Sequence, residues 1–262
     1  MMRKDHRTDQ TRSVNIWPDN PAGSGAEVMK YRFNWNFPVK FSIHDENKLF
    51  AGSNFLHMTS DGGQSWKTIS PDLTRGLPET IKSSGGPITQ DNTGVEYYAT
   101  IFAVDESPIQ EGLIWVGSDD GLIHLTKDGG ASWENVTPKK MPDWMMINSI
   151  DASSFDSGTA YIAGTRYKLG DFTPYLYVTD DYGKSWKLIT EGIENEHFTR
   201  VLRSDKSNKN ILYTGTETGM YISYDKGNSW NEFQKNLPIV PITDLTIKDN
   251  SLIVATQGRS IW

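Results

Sequence analysis

The chain has 262 residues, 36% hydrophobic and 23% charged, and its 33 acidic against 26 basic side chains give a formal net charge of −7. That balance fits a globular chain with a sizeable core, and its sign argues against a nucleic-acid backbone or an anionic membrane surface as the main partner. The absence of cysteine excludes disulfides, zinc–thiolate sites and thiol nucleophiles while leaving the compartment open.

No apolar run approaches the roughly 18 residues of a spanning helix, so no membrane insertion is expected; the start, MMRKDHRTDQ, has no apolar segment of the kind a signal peptide needs. In residues 1–30, MMRKD and TRSVNIWP read as the last two strands of a unit whose first half is missing. Next come FPVKFSI, KLFAGS and FLHMTS, and the third of these leads into TSDGGQSW. The order repeats as YYATIFAV, LIWVGS, LIHLTKD into TKDGGASW, as MINSIDA, TAYIAGT, YLYVTDD into TDDYGKSW, and as TRVLRSD, NILYTGT, GMYISYD into SYDKGNSW, then WNEFQ. Runs rich in Val, Ile, Tyr and Phe between turn residues are strand chemistry, so each unit holds four strands. A fifth unit starts with ITDLTIKD and SLIVATQ and stops at GRSIW.

The shared turn is Ser/Thr-x-Asp-x-Gly-x-x-Trp. Its aspartates Asp61, Asp128, Asp181 and Asp225 are 67, 53 and 44 residues apart, and the shortest spacing is close to a propeller blade of about 40 to 45 residues. The expected fold is all-β: a β-propeller of four-stranded antiparallel blades, about four complete plus a partial or end-closed fifth. Residues 1–262 then form one propeller segment, with repeats over approximately 31–70, 95–137, 145–190 and 197–235 and partial units at 1–30 and 241–262. Such a segment is expected to belong to a longer propeller with flanking blades, or to close on itself by pairing its two ends.

In each turn the Asp carboxylate can accept backbone N–H bonds of its own loop, and Gly63, Gly130, Gly183 and Gly227 can take a positive φ. Trp66, Trp133, Trp186 and Trp230 can return to the hydrophobic layer between sheets. None of the four turns has the D-x-[DN]-x-[DN]-G-x5-E pattern of a calcium loop, so their role is read as structural. No metal and no cofactor is expected. His57 and His124 stand two residues before the turn, where the later repeats have Tyr177 and Tyr221, and are read as packing.

The four turns resemble the Asp-box, or bacterial neuraminidase repeat, of sialidases, xyloglucanase-type glycosidases and sortilin-like sorting receptors, all of which are β-propellers. SPDLTRG, SSGGPIT, VGSDDGLIH, AGTRYKLGDF, ITDLTIKD and ATQGRSIW extend the similarity, over residues 12–262, to large exported bacterial sortilin-like or glycosyl-hydrolase repeat proteins. The resemblance implies an exported location, whether periplasmic, cell-surface or secreted. It also implies a ligand site around the central channel, on the face away from the turns. Sialidases of this type need three arginines and a Phe/Tyr-Arg-Ile-Pro motif; YRFNW does not match it, and no motif unites Arg166, Arg200 and Arg259. Xyloglucanase-type enzymes pair two seven-bladed propellers, whose inter-domain cleft this length cannot hold.

Function is therefore sought in the unrepeated loops. The connection over residues 70–95 carries Arg75 and Lys82, PKKMPDWMM carries Trp144, and the third repeat inserts RYKLGDFTP where the fourth has only TETG. Candidate ligand-binding residues are Trp144, Arg166, Tyr167, Lys168, Asp171, His197, Glu217 and Arg259, for a peptide, a protein or a carbohydrate. The alternative is a glycoside hydrolase with paired carboxylates drawn from Asp119, Asp120, Asp171 and Glu217, with Glu96 on the same face. Asp119 and Asp120 also suit a purely structural role in the SDDG turn. A third reading is a structural fragment without activity.

Overall fold

The computed structural model describes residues 1–19 and 22–262. Among them the chain forms twenty strands and two short 3-10 turns. Each of the four turn-bearing repeats folds into one antiparallel sheet in chain order. These sheets are β3 to β6 (Val39–Phe41, Leu49–Gly52, Leu56–Thr59, Lys67–Thr68), β7 to β10 (Ile101–Glu106, Ile114–Ser118, Ile123–Thr126, Glu134–Asn135), β11 to β14 (Met146–Ala152, Ala160–Arg166, Asp171–Thr179, Lys187–Leu188) and β15 to β18 (Thr199–Ser204, Leu212–Thr216, Met220–Ser223, Asn231–Glu232). Two-stranded sheets flank them: β1 with β2 (Met2–Asp5, Gln10–Ser13) and β19 with β20 (Ile242–Lys248, Ser251–Thr256).

The first strands follow one another side by side, β7 against β11, β11 against β15 and β15 against β19. Between successive sheets lie separate apolar cores. Trp115, Ile147 and Ile162 are central to the largest, and Leu176, Leu202 and Trp230 belong to the next. First and second strands carry most of this burial. Each fourth strand is a two-residue stub with both side chains exposed, a short polar edge that blunts strand pairing with other chains.

The first strands are also latched by polar groups that reach forward to the next sheet. Lys40 pairs with Asp105, Asp105 accepts the Ala152 N–H at 2.7 Å, Asp151 accepts the Ser204 N–H at 2.9 Å, and Arg203 reaches Asp244 at 2.8 Å and the Leu245 carbonyl at 3.0 Å. The four positions occupy the same register in their sheets, so a repeat that differs in residue type keeps a common inter-sheet function.

The repeated turn is held by local hydrogen bonds. In the second sheet, Asp128 accepts the Thr126 hydroxyl at 2.7 Å, the Ser132 N–H at 2.9 Å and the Ser132 hydroxyl at 2.5 Å, which holds its carboxyl down at about 2. Gly130 has φ +99°, and a Cβ there would stand 2.4 Å from the Ile69 carbonyl oxygen of the preceding sheet.

The turn also reaches beyond its own loop. Each tryptophan donates its indole N–H backwards, Trp133 to the Ile69 carbonyl at 2.9 Å, Trp186 to Val136 at 2.7 Å and Trp230 to Ile189 at 2.7 Å. Trp66 reaches Val14 in the same way at 3.2 Å. The Val14 N–H in turn bonds the Met1 carbonyl as Val136 bonds Ile123, so the hairpin of β1 and β2 stands in the register of a third and fourth strand although KDHRTDQT does not carry the Ser/Thr-x-Asp-x-Gly-x-x-Trp pattern.

The insertion after β12 is likewise not a free loop. It prolongs the β12–β13 ladder to an Arg166–Asp171 pair closed by a 3-10 turn, Tyr167–Leu169, with Gly170 at φ 74°.

Candidate functional site

Turns between first and second strands and between third and fourth strands share one face of this topology. Second-to-third turns and inter-sheet connections share the other. On that second face a cleft of about 370 Å³ opens between the second and third sheets. Its walls are Tyr98 and Trp144 from the two connections, Asp119 from the turn after β8, Arg166, Tyr167, Lys168 and Leu169 from the prolonged hairpin, with Thr80, Met146 and Thr165.

The aromatic groups are held rigidly. Trp144 lies 6.5 Å from Tyr98 between ring centroids, and the Arg75 guanidinium lies 4.9 Å from the Trp144 ring while pairing with Asp143 at 2.9 Å. Arg166 donates to the Asp143 carbonyl at 3.0 Å, so the connection carrying Trp144 is clamped from both sides. Tyr167 stacks on Phe198 at 5.2 Å and 15°, with the Arg200 guanidinium 5.7 Å from its ring. Cation–π contacts of this kind hold a ring in place without covering both of its faces.

The carboxylates differ in their partners. Asp119 is buried against the cleft and accepts the Thr100 N–H at 2.8 Å and hydroxyl at 2.9 Å. Burial pushes it up to about 7, against the pull of the Thr100 bonds and the Lys168 charge. Asp120 is turned away, accepting the Ser118 hydroxyl at 2.6 Å and the Arg75 N–H at 2.7 Å; burial raises it too. It therefore pins the 70–95 connection as well as its own turn. Asp171 pairs with Arg166 at 2.5 Å and accepts the Tyr175 hydroxyl at 2.9 Å; burial opposes its ionisation, but these bonds and those from Thr173 leave it lowered. Glu217 pairs with Arg200 at 2.5 Å, and Glu96 accepts the Trp35 indole N–H at 3.2 Å.

Thus Asp119, Trp144, Arg166, Tyr167 and Lys168 converge, with Asp171 and the Arg200–Glu217 pair supporting them from behind. His197 lies elsewhere: its Nδ1 is 2.7 Å from the Tyr221 hydroxyl, beside a depression lined by Glu232 and Gln234. Arg259 lies beyond β20, its carbonyl accepting the Trp262 indole N–H at 2.9 Å. Tyr98 is the cleft residue the sequence concealed. VEYYAT reads as the start of a strand, but Ala99 has φ 59°, which breaks the extended run and turns Tyr98 into the cleft. Arg32 of YRFNW is buried and consumed by Asp72 at 2.9 Å and the Ala99 carbonyl at 3.0 Å. His57 is buried and His124 half-buried, and desolvation of their rings lowers both to about 4. No group of three or more His, Asp or Glu among the described residues is arranged to hold a metal ion.

The family described as sortilin, neurotensin receptor 3 (Sortilin-Vps10), matches residues 174–258. The structure superposes on an ancestral GH74 enzyme with a TM-score of 0.62 at 18% identity, covering 93% of this chain and 29% of that one. The GH74 xyloglucanase of Xanthomonas campestris gives 0.62 at 16% identity, over 86% of this chain and 35% of the other. The β-propeller domain of Swd1 from Myceliophteria thermophila gives 0.59 at 13% identity, over 89% and 66%. The chain folds as a β-propeller, similar to sortilin over residues 174–258 and to GH74 propellers in its overall fold.

Among curated proteins, the oligoxyloglucan-reducing end-specific xyloglucanase of Emericella nidulans is 22% identical to this propeller, covering 68% of the present chain and 24% of the enzyme. The propeller therefore spans about a quarter of that relative's length. No helix of its described residues is long and apolar enough to cross a membrane.

Proposed function

We propose that this propeller is a binding scaffold for a carbohydrate, which stacks on Trp144 and Tyr167 and is oriented by hydrogen bonds from Arg166, Lys168 and Asp119. The observation that carries the reading is the state of the carboxylates: Asp119 alone among the candidates lines the cleft, while Asp171 and Glu217 are neutralised by Arg166 and Arg200. A glycosidase needs two carboxyls facing the bond to be broken, about 5 to 10 Å apart. Rigid aromatic walls with a few polar groups are what a ligand pocket needs, and sugar rings present apolar faces that stack on such walls. The similarity to xyloglucan-directed proteins favours a glycan over a peptide or protein partner. Assignment of the four turns to the Asp-box class, and an exported location, belong to the same proposal.

The hydrolase reading retains one supporting observation, the buried Asp119, whose carboxyl near 7 suits a general acid. Calorimetry with xyloglucan oligosaccharides, run beside a reducing-end assay, separates the two. Binding without new reducing ends, lost in Trp144→Ala, is the expected result. Release of reducing ends that disappears in Asp119→Asn would replace the scaffold with an enzyme.

A further inference from the structure

The cleft shares wall residues with a neighbouring hollow. Thr80 and Tyr98, which line it, also line a polar depression of about 130 Å³ with Asn92 and Thr93. Tyr97, adjacent in the chain, lines both that depression and an aromatic pocket of about 180 Å³ built on Trp17, Tyr31, Phe33 and Phe37. These pocket residues belong to connections that precede the first strands β3 and β7, as Trp144 precedes β11, so the three hollows lie on one face.

We infer that they form one groove for a linear, uncharged oligosaccharide, with an aromatic platform at each end and a hydrogen-bonding saddle between them. This inference rests on the glycan reading of the Trp144 cleft and adds a second binding platform at Trp17.

The distant platform is pre-formed. Trp17 and Tyr31 meet edge to face at 6.0 Å and 89°, and Tyr31 is fixed in turn by His57 at 4.6 Å and by its hydroxyl, 3.3 Å from the Thr68 hydroxyl. The Lys30 ammonium lies 3.6 Å from the Trp17 ring centroid, bracing it while 42% of the residue stays exposed. Rings immobilised in this way lose little freedom when a ligand arrives. Across the groove, Lys82, Arg166 and Lys168 stand against Asp19, Asp91 and Glu96, so neither a polyanion nor a polycation is favoured. Hydroxyl and amide groups in the saddle can exchange hydrogen bonds with sugar hydroxyls.

The test is calorimetric titration with cellobiose and with xyloglucan oligosaccharides of increasing length. Wild-type affinity is expected to rise with length. Trp17→Ala is expected to weaken the longest ligand about tenfold and to leave cellobiose unchanged, whereas Trp144→Ala weakens both. Hydrogen exchange on the wild-type protein supplies a readout independent of any variant: the long ligand, and not cellobiose, slows exchange in residues 29–37. Affinity independent of length, with no protection of residues 29–37, overturns the groove and leaves the Trp144 cleft standing. Failure to bind any of these glycans overturns the glycan reading itself, and length-dependent binding of peptides in their place overturns the ligand class.

Discussion

The turn-bearing face and the cleft face of this propeller treat a carboxylate in opposite ways. On the first, Asp61 and Asp128 are exposed and Asp181 and Asp225 half-exposed, yet the same Ser/Thr hydroxyl and Ser N–H partners hold every one of them below the usual carboxylate range. On the second, Asp119 sits at the wall of a cleft and burial raises it to about 7. Local hydrogen bonds determine the first case and desolvation the second. A chain can therefore repeat an acidic, glycine-rich motif whose carboxylates are occupied by bonds within their own turns, and build its candidate cleft from connections that differ between repeats.

Substitutions that load the two faces differently test this contrast. The largest effect is expected at Trp230, only 4% exposed and bonded to the preceding sheet. Trp230→Ala should cost about 3 to 5 kcal/mol in urea unfolding and leave glycan affinity per folded molecule unchanged. An unfolding midpoint equal to wild type would show that the tryptophan ties between sheets are not stabilising.

A smaller effect follows from acid. Because the turn carboxyls are held below their unfolded value of about 3.9, their contribution is complete above that pH and is lost as pH falls through the folded value, near 2 for Asp128. Asp128→Ala should lower the melting temperature at neutral pH, and the gap from wild type should close as pH drops from about 4 towards about 2. A gap that stays constant with pH would mean that the carboxylate bonds are not its source.

Asp119 predicts the reverse slope. Its folded value lies above its unfolded one, so between about 4 and about 7 the unfolded chain releases a proton that the folded protein keeps, and stability falls as pH rises. Asp119→Asn should flatten that limb, giving a modest difference in melting temperature across the window. Parallel curves for the two proteins would indicate that Asp119 is ionised throughout.

Much of the fold was legible because strand, turn and spacing are short-range properties. The order of four strands per repeat, the internal satisfaction of Asp128 and the positive φ of Gly130 all follow from residues within one turn of each other. The candidate site was legible only in part. Trp144, Arg166, Tyr167 and Lys168 stood out because the connections carrying them differ from repeat to repeat. Tyr98 did not, since a single backbone inversion at Ala99 decides whether it continues a strand or enters the cleft. His197 and Arg259 carried equal weight as residues but lie on other parts of the surface.

By itself, then, the sequence determined a ladder of similar units, because a repeating pattern of apolar runs and one self-satisfying turn can bury its faces only by stacking on copies of itself. The tertiary structure decided what the pattern could not carry. Each of the four turn tryptophans reaches backwards to a carbonyl of the preceding sheet, Lys40, Asp105, Asp151 and Arg203 perform one latch with different chemistry, and Asp119 rather than Asp120 faces the cleft. These outcomes depend on groups about 20 to 70 residues apart in sequence meeting at hydrogen-bond distance, and on how much water their meeting removes, which no local pattern records.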